Sequence, residues 1–231
     1  MNIAIVLAGG KGKRMGSEIP KQFLNIEGKP VIYHALKAFQ DSEVIDEIIV
    51  VSSKDYYEYF KTNVSSGGIF SDITKIKKIV IGGAERYDSV YSGLSEIDDN
   101  GYVFIHDGAR PCVTPGIIND CYRSAKDYET GIAAVPVKDT IKCVDENGFC
   151  VATPDRKTLW QIQTPQVFKT KIIQDAYRKL YELKCFEGIT DDAMILETIG
   201  NTKVKMVMSD YRNIKITTPE DMEIASLFLN M

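Results

Sequence analysis

The chain has 231 residues, 44% of them hydrophobic and 26% charged, the profile of a globular protein rather than a disordered or fibrous one. A formal net charge of −4 excludes a chain-wide basic footprint for nucleic acid. No apolar run approaches the length needed to span a bilayer, so no membrane partner is expected.

Short β-branched runs at 2–7, 47–51, 78–81, 102–106 and 132–137 read as strands, and each is nearly continuous in apolar character, as expected where both faces are covered. The first is followed by Lys11, Lys13 and Arg14, the reverse of the order in a secretory leader, which predicts a cytoplasmic protein. Between the strands, 31–40, 55–64, 87–97 and Pro115–Tyr128 carry helical periodicity, the last starting with Thr114 as cap and proline in the first turn. The alternation predicts an α/β fold with a mostly parallel sheet flanked by helices, a single domain over 1–231.

The rhythm breaks at 138–163, where two extended pieces flank Asp145-Glu146-Asn147-Gly148, a hairpin signal. An isolated hairpin is marginal in water, so this arm needs a surface to pack on, which a second subunit would provide. Helical pattern returns at 171–183 and 191–199, then a strand at 204–207 and a helix start at Thr218-Pro219, with Thr218 as cap. The five cysteines, Cys112, Cys121, Cys143, Cys150 and Cys185, form no C-x-x-C pair and are expected to be reduced and mostly buried. Tyr56, Tyr57, Tyr59 and Phe60 fall at helical spacing and read as packing residues.

The strongest local signal is Ala8-Gly9-Gly10-Lys11-Gly12-Lys13-Arg14 with Pro20-Lys21-Gln22-Phe23. Glycine-rich backbone at the carboxyl end of a first strand lets main-chain N–H groups approach phosphate oxygens, and four cations within eleven residues suit a triphosphate. The Walker spacing is absent, and the third glycine comes one residue late for the dinucleotide pattern. Other polar sets follow later strands, Gly82-Gly83-Ala84-Glu85-Arg86 with Ser89, His106-Asp107-Gly108-Ala109-Arg110 and Lys138-Asp139-Thr140, while Asn213-Ile214-Lys215 precedes Thr217-Thr218-Pro219 late in the chain. Asp107 reads either as a Mg²⁺ ligand or as a capping or ion-paired aspartate. His106 reads as structural before catalytic, His34 as structural, and Lys215 shows no structural role in the sequence.

In order and over nearly the full length, these motifs resemble the 2-C-methyl-D-erythritol 4-phosphate cytidylyltransferases of the non-mevalonate isoprenoid pathway. Asp155-Arg156, Gln163-Thr164-Pro165-Gln166, Thr190-Asp191-Asp192-Ala193 and Asn213 to Asp221 belong to the match. The resemblance implies a Rossmann-like nucleotidyltransferase fold, Mg²⁺ as cofactor, CTP and a polyol phosphate as substrates, and a homodimer joined by β-arms. It implies that Ala8, Gly9, Gly10, Gly12, Arg14 and Lys21 wrap the triphosphate, that Gly82, Gly83 and Ser89 lie near the pyrimidine and ribose, and that Asp107 approaches the metal and the sugar phosphate. Arg110, Thr164, Thr190 and Lys215 match the acceptor side, while Thr140 and Arg156 match arm residues that reach into the partner's site. Arg14, Lys21, Arg156 and Lys215 are the expected catalytic cations. Ala8-Gly9-Gly10 departs from the commoner Ala-Ala-Gly of this family and resembles ribitol 5-phosphate cytidylyltransferases, which leaves ribitol phosphate as the alternative acceptor.

Overall fold

Aliphatic runs with no polar face require cover on both sides, and this chain supplies it with amphipathic helices between its strands. The computed structural model describes residues 1–10, 19–98 and 100–231. After β1 (Asn2–Leu7) come a 3₁₀ turn (Lys21–Phe23), a ribbon of β2 (Asn25–Ile26) and β3 (Lys29–Pro30), and α1 (Val31–Asp41). The alternating part continues through β4 (Glu47–Ser52), α2 (Lys54–Val64), β5 (Ile76–Ile81), α3 (Arg86–Leu94), β6 (Tyr102–Asp107), α4 (Pro115–Tyr128) and β7 (Thr130–Pro136). A hairpin of β8 (Cys143–Val144) and β9 (Cys150–Ala152) follows, then β10 (Trp160–Lys169), α5 (Thr170–Leu183), α6 (Asp192–Thr198), β11 (Met206–Met208) and α7 (Glu220–Leu229).

The main sheet has seven strands in the order β11-β7-β10-β6-β1-β4-β5. All neighbours are parallel except β10, which runs antiparallel to both β6 and β7. One face carries α1, α2 and α4 over a core that includes Leu36, Phe39, Phe60 and Ile118. The opposite face carries α3, α5 and α6 over Val90, Ile173, Tyr177, Leu180 and Ile195. A third cluster, Ile26, Val31, Cys112, Ile216 and Ala225, seats α7 against the ribbon and fixes the segment before that helix.

Four sequence expectations are corrected. The ten-residue β10 was not expected, because Pro165 and three glutamines interrupt its apolar character; the ladder to β7 does shift between Ile162 and Gln166, where proline has no N–H to give. The strand β5 is an edge, so its Lys77 and Lys78 face solvent and it is not apolar throughout. Cys112 and Cys121 are buried, but Cys143, Cys150 and Cys185 are exposed, on the hairpin and the loop after α5. Thr218 does not cap α7: the Asp221 carboxylate accepts from the backbone N–H groups of Thr217 and Thr218 and from the Thr217 hydroxyl, so the acid in the first turn does the capping. The α2 aromatics do pack, with Phe23 stacked on Tyr56 at 4.1 Å between ring centroids. No helix among the described residues is long and apolar enough to cross a membrane.

Candidate active site

Because β1 and β6 are parallel neighbours with Leu7 opposite Asp107, the residues that follow them share one rim. Ala8 N–H donates to Val51 O, and Gly108 N–H donates to Leu7 O, fixing the two chain exits. Gln22, nearly buried, donates from Nε2 to Ala8 O at 2.6 Å and Gly10 O at 3.3 Å, so the 3₁₀ turn holds the base of the glycine loop. Gly10 stands at φ +117°, a conformation that side-chain-bearing residues rarely adopt. Gly12 and Arg14 lie outside the described residues.

Across the same rim, a Cβ on Gly82 would come within 2.6 Å of Ser89 Oγ, and one on Gly9 within 3.8 Å of the same atom. Gly9, Gly82 and Ser89 therefore converge, and only glycine at 82 allows it. Gly83, exposed, precedes the capping box in which Glu85 N–H donates to Asp88 Oδ2.

The electrostatic centre is Asp107, at the last position of β6. Arg86 Nε donates to its Oδ1 at 3.1 Å and Lys215 Nζ to its Oδ2 at 2.7 Å. Burial works against the charge, yet Arg86, Lys215 and Arg110 outweigh it and hold the carboxyl far below the usual range. Lys21 Nζ donates to Ile216 O at 2.6 Å, which ties the ammonium of Lys21 to the residue that follows Lys215. Arg110 Nη1 donates to Asn213 O at 2.8 Å, while its Nε is buried with no acceptor among the described residues. Asn213 itself, fully buried, donates to Gln163 Oε1 and Thr164 O, joining the Lys215 segment to β10.

The shift in the β10 ladder turns Thr164 toward β6, where its Oγ1 accepts from Asp107 N–H at 3.0 Å and contacts His106 Nδ1 at 3.1 Å. Arg110 O, 3.2 Å from His106 Nε2, can only accept, so Nε2 carries the proton and Nδ1 accepts from the threonine hydroxyl. Burial pushes the His106 pKa down to about 3. The ring is a neutral spacer with no exposed surface, which settles it as structural. Thr190 is exposed and lines a small cavity with Arg86, Tyr87 and Tyr177. Thr140 and Arg156 lie on the exposed arm; Arg156 Nη1 donates to Lys138 O at 2.7 Å, and no contact joins either residue to the Asp107 cluster among the described residues.

The family model for 2-C-methyl-D-erythritol 4-phosphate cytidylyltransferase (IspD) matches residues 2–231. This chain belongs to that family. The protein of this name from Lachnospira eligens is 57% identical over 229 residues, covering 99% of each chain. That from Clostridium perfringens is 46% identical over 227 residues, 98% of each. Among solved structures, the 4-diphosphocytidyl-2C-methyl-D-erythritol synthase of Anaerococcus prevotii superposes with a TM-score of 0.82 at 31% identity, covering 100% of this chain and 98% of that one. The IspD of Francisella tularensis gives 0.80 at 33% identity, covering 98% and 99%.

Of the residues expected from sequence, the described fold brings Ala8, Gly9, Gly10, Lys21, Gly82, Ser89, Asp107, Arg110, Thr164 and Lys215 to one rim of this IspD-type sheet. Lys215 has the structural partner its sequence context did not indicate, Asp107. Three residues that carry the cluster had no role assigned from sequence. Arg86 bridges Asp107 and the buried Asp192, whose Oδ1 accepts from Tyr177 OH at 2.6 Å. Arg86 stood within a recognised motif, but nothing in a sequence pairs it with an aspartate 106 positions away.

Proposed function

We infer that this chain transfers the cytidylyl group of CTP to 2-C-methyl-D-erythritol 4-phosphate, giving 4-diphosphocytidyl-2-C-methyl-D-erythritol and pyrophosphate for isoprenoid precursor synthesis. An acceptor phosphate oxygen bonds to the α-phosphorus of CTP, the bond from that phosphorus to the bridging oxygen breaks, and pyrophosphate leaves. The nucleophile is already an anion, so no general base is needed; the barrier lies in bringing two anions together, and positioned cations lower it. The observation that carries this reading is the gathering of Lys215, Arg110 and Arg86 about one carboxylate, with Lys21 anchored beside them, in a chain of this family.

The glycine loop and Lys21 receive the triphosphate, with Arg14 assigned to the same role. Lys21 stabilises the charge that grows on the α-phosphoryl group. Lys215 and Arg110 hold the acceptor phosphate, for which a guanidinium offers parallel, charge-assisted hydrogen bonds. Thr164 and Thr190 border this side, and Arg156 and Thr140 complete it from a second subunit through the arm. Exposed Val144, Phe149 and Val151 on that hairpin support such a dimer, since an apolar ribbon of this kind needs cover.

The residues present fit a Mg²⁺. An ionised carboxylate at a phosphate-binding rim is the usual protein share for this ion when phosphates and water supply the remaining oxygens. Each Asp107 oxygen meets one cation and retains a further lone pair. Asp107 would hold the ion, which would add positive charge beside the triphosphate. No group of three or more His, Cys, Asp or Glu able to hold a metal occurs among the described residues.

The decisive experiment is a pyrophosphate-release assay crossing four nucleoside triphosphates with methylerythritol phosphate and ribitol phosphate, with and without Mg²⁺. CTP with methylerythritol phosphate and Mg²⁺ should be the productive combination. Preference for ribitol phosphate would move the chain to the other acceptor, and failure with CTP would reject the reading.

A further inference from the structure

Asp107 faces two cations held in different ways. Lys215 comes from the segment between β11 and α7, its side chain is 38% exposed, and the Asp107 carboxylate is its only hydrogen-bond partner among the described residues. Arg86 is the first residue of α3, and its planar fork spans two carboxylates, Asp107 at 3.1 Å and Asp192 at 2.8 Å. Asp192 has no exposed surface and is held from α5 by Tyr177 OH at 2.6 Å. Removing Arg86 from Asp192 would leave a buried charge without its partner, a change that is strongly unfavourable. Arg86 is thus fixed from behind, whereas Lys215 has one bond to exchange.

We propose that Arg86 is a positioning residue of the transfer step: anchored by Asp192 and Tyr177, it stays on Asp107 and so releases Lys215 from that carboxylate to the incoming acceptor phosphate. This rests on the reading of Lys215 as a phosphate-binding residue. A phosphate draws the ammonium from Asp107 more readily when the carboxylate keeps a second cation of the protein itself, and Arg86 supplies it with or without a Mg²⁺ beside Asp107. Without it, Asp107 holds Lys215, and acceptor binding has to break that pair first.

The test is a double-mutant cycle on steady-state kinetics, with Arg86→Gln made in the wild type and in a Lys215→Ala background. In the wild type the substitution should raise KM for methylerythritol phosphate by about tenfold or more and change KM for CTP by less than about threefold. In the Lys215→Ala background the same substitution should move the acceptor KM by less than about threefold, because the competition it creates acts through Lys215. Arg86→Lys, which restores charge without spanning both carboxylates, should recover part of the loss. Should Arg86→Gln not fold, Tyr177→Phe keeps the buried ring and loosens only the anchor, and it should raise the acceptor KM in the same selective way. Equal losses in the two backgrounds, or parallel rises in both KM values, would overturn the proposal and leave Arg86 with a packing role alone. Wild-type turnover is the control: its absence overturns the functional reading and this role with it, whereas turnover with additive losses overturns only this role.

Discussion

Lys21 and Gln22 are adjacent, yet their side chains tie down different segments. The Lys21 ammonium is anchored on Ile216 O, and in the role proposed above its charge acts on the reacting phosphorus; Lys21→Ala should then lower kcat by about 10²–10³ while CTP affinity falls only a few-fold, because charge at that centre grows toward the transition state. Equal losses in binding titration and in single-turnover rate would remove it from that role. The Gln22 amide instead ties down two loop carbonyls, and Gln22→Leu leaves both without this donor; unfolding titrations should show about 1–3 kcal/mol of lost stability, with weaker CTP binding. At this scale much of the site was legible. Asp107 and Arg110 stand at or just after a strand end and Lys21 follows a proline, where open parallel sheets present their ligands, whereas Lys215 stands far from any strand end and was marked only by its place before the last helix. Arg86, Asp192 and Tyr177 were not, because an ion pair between helices depends on how those helices pack, and sequence periodicity carries no record of a partner across that distance.

The elements repeat that division. The runs at β1, β4 and β6 announce themselves because a strand covered on both faces has to be apolar throughout, and the start of Pro115–Tyr128 was readable to the residue from Thr114 and the proline that follows it. The strand β10 is the element that local rules hide. It enters the sheet against the direction of its neighbours, its outer half is polar, and Pro165 sits inside it. That irregularity serves the site, since it lets Thr164 hold Asp107 N–H and His106 at once. The inner half nonetheless carries the sheet: Phe168 is fully buried opposite Val103 and Thr130. Phe168→Ala should therefore cost about 3–5 kcal/mol in denaturant unfolding, a large share of a typical domain's stability. A loss below about 1 kcal/mol would mean that β10 is not the interior strand described here.

For the whole molecule, the arm is the part whose sequence makes little sense in one copy. Arg156 is exposed there and donates to Lys138 O, while Lys21, Arg110 and Lys215 come from other segments. If two copies exchange arms about a two-fold axis, each site combines Lys21 of one chain with Arg156 of the other. Lys21→Ala and Arg156→Ala dimers should then each be nearly inactive, the second retaining CTP binding. Unfolding and refolding an equal mixture produces dimers that pair an intact Lys21 with an intact Arg156 in one of two sites. Activity should return to about a quarter of the wild-type value, since half the dimers are mixed and each has one whole site. A mixture no more active than its parents would mean that both residues act within one chain. Phe149→Asp supplies the independent control: 72% exposed on the hairpin, this ring should cost little when changed in a monomer, but at a dimer interface a charge there should shift sedimentation toward the monomer and abolish the rescue.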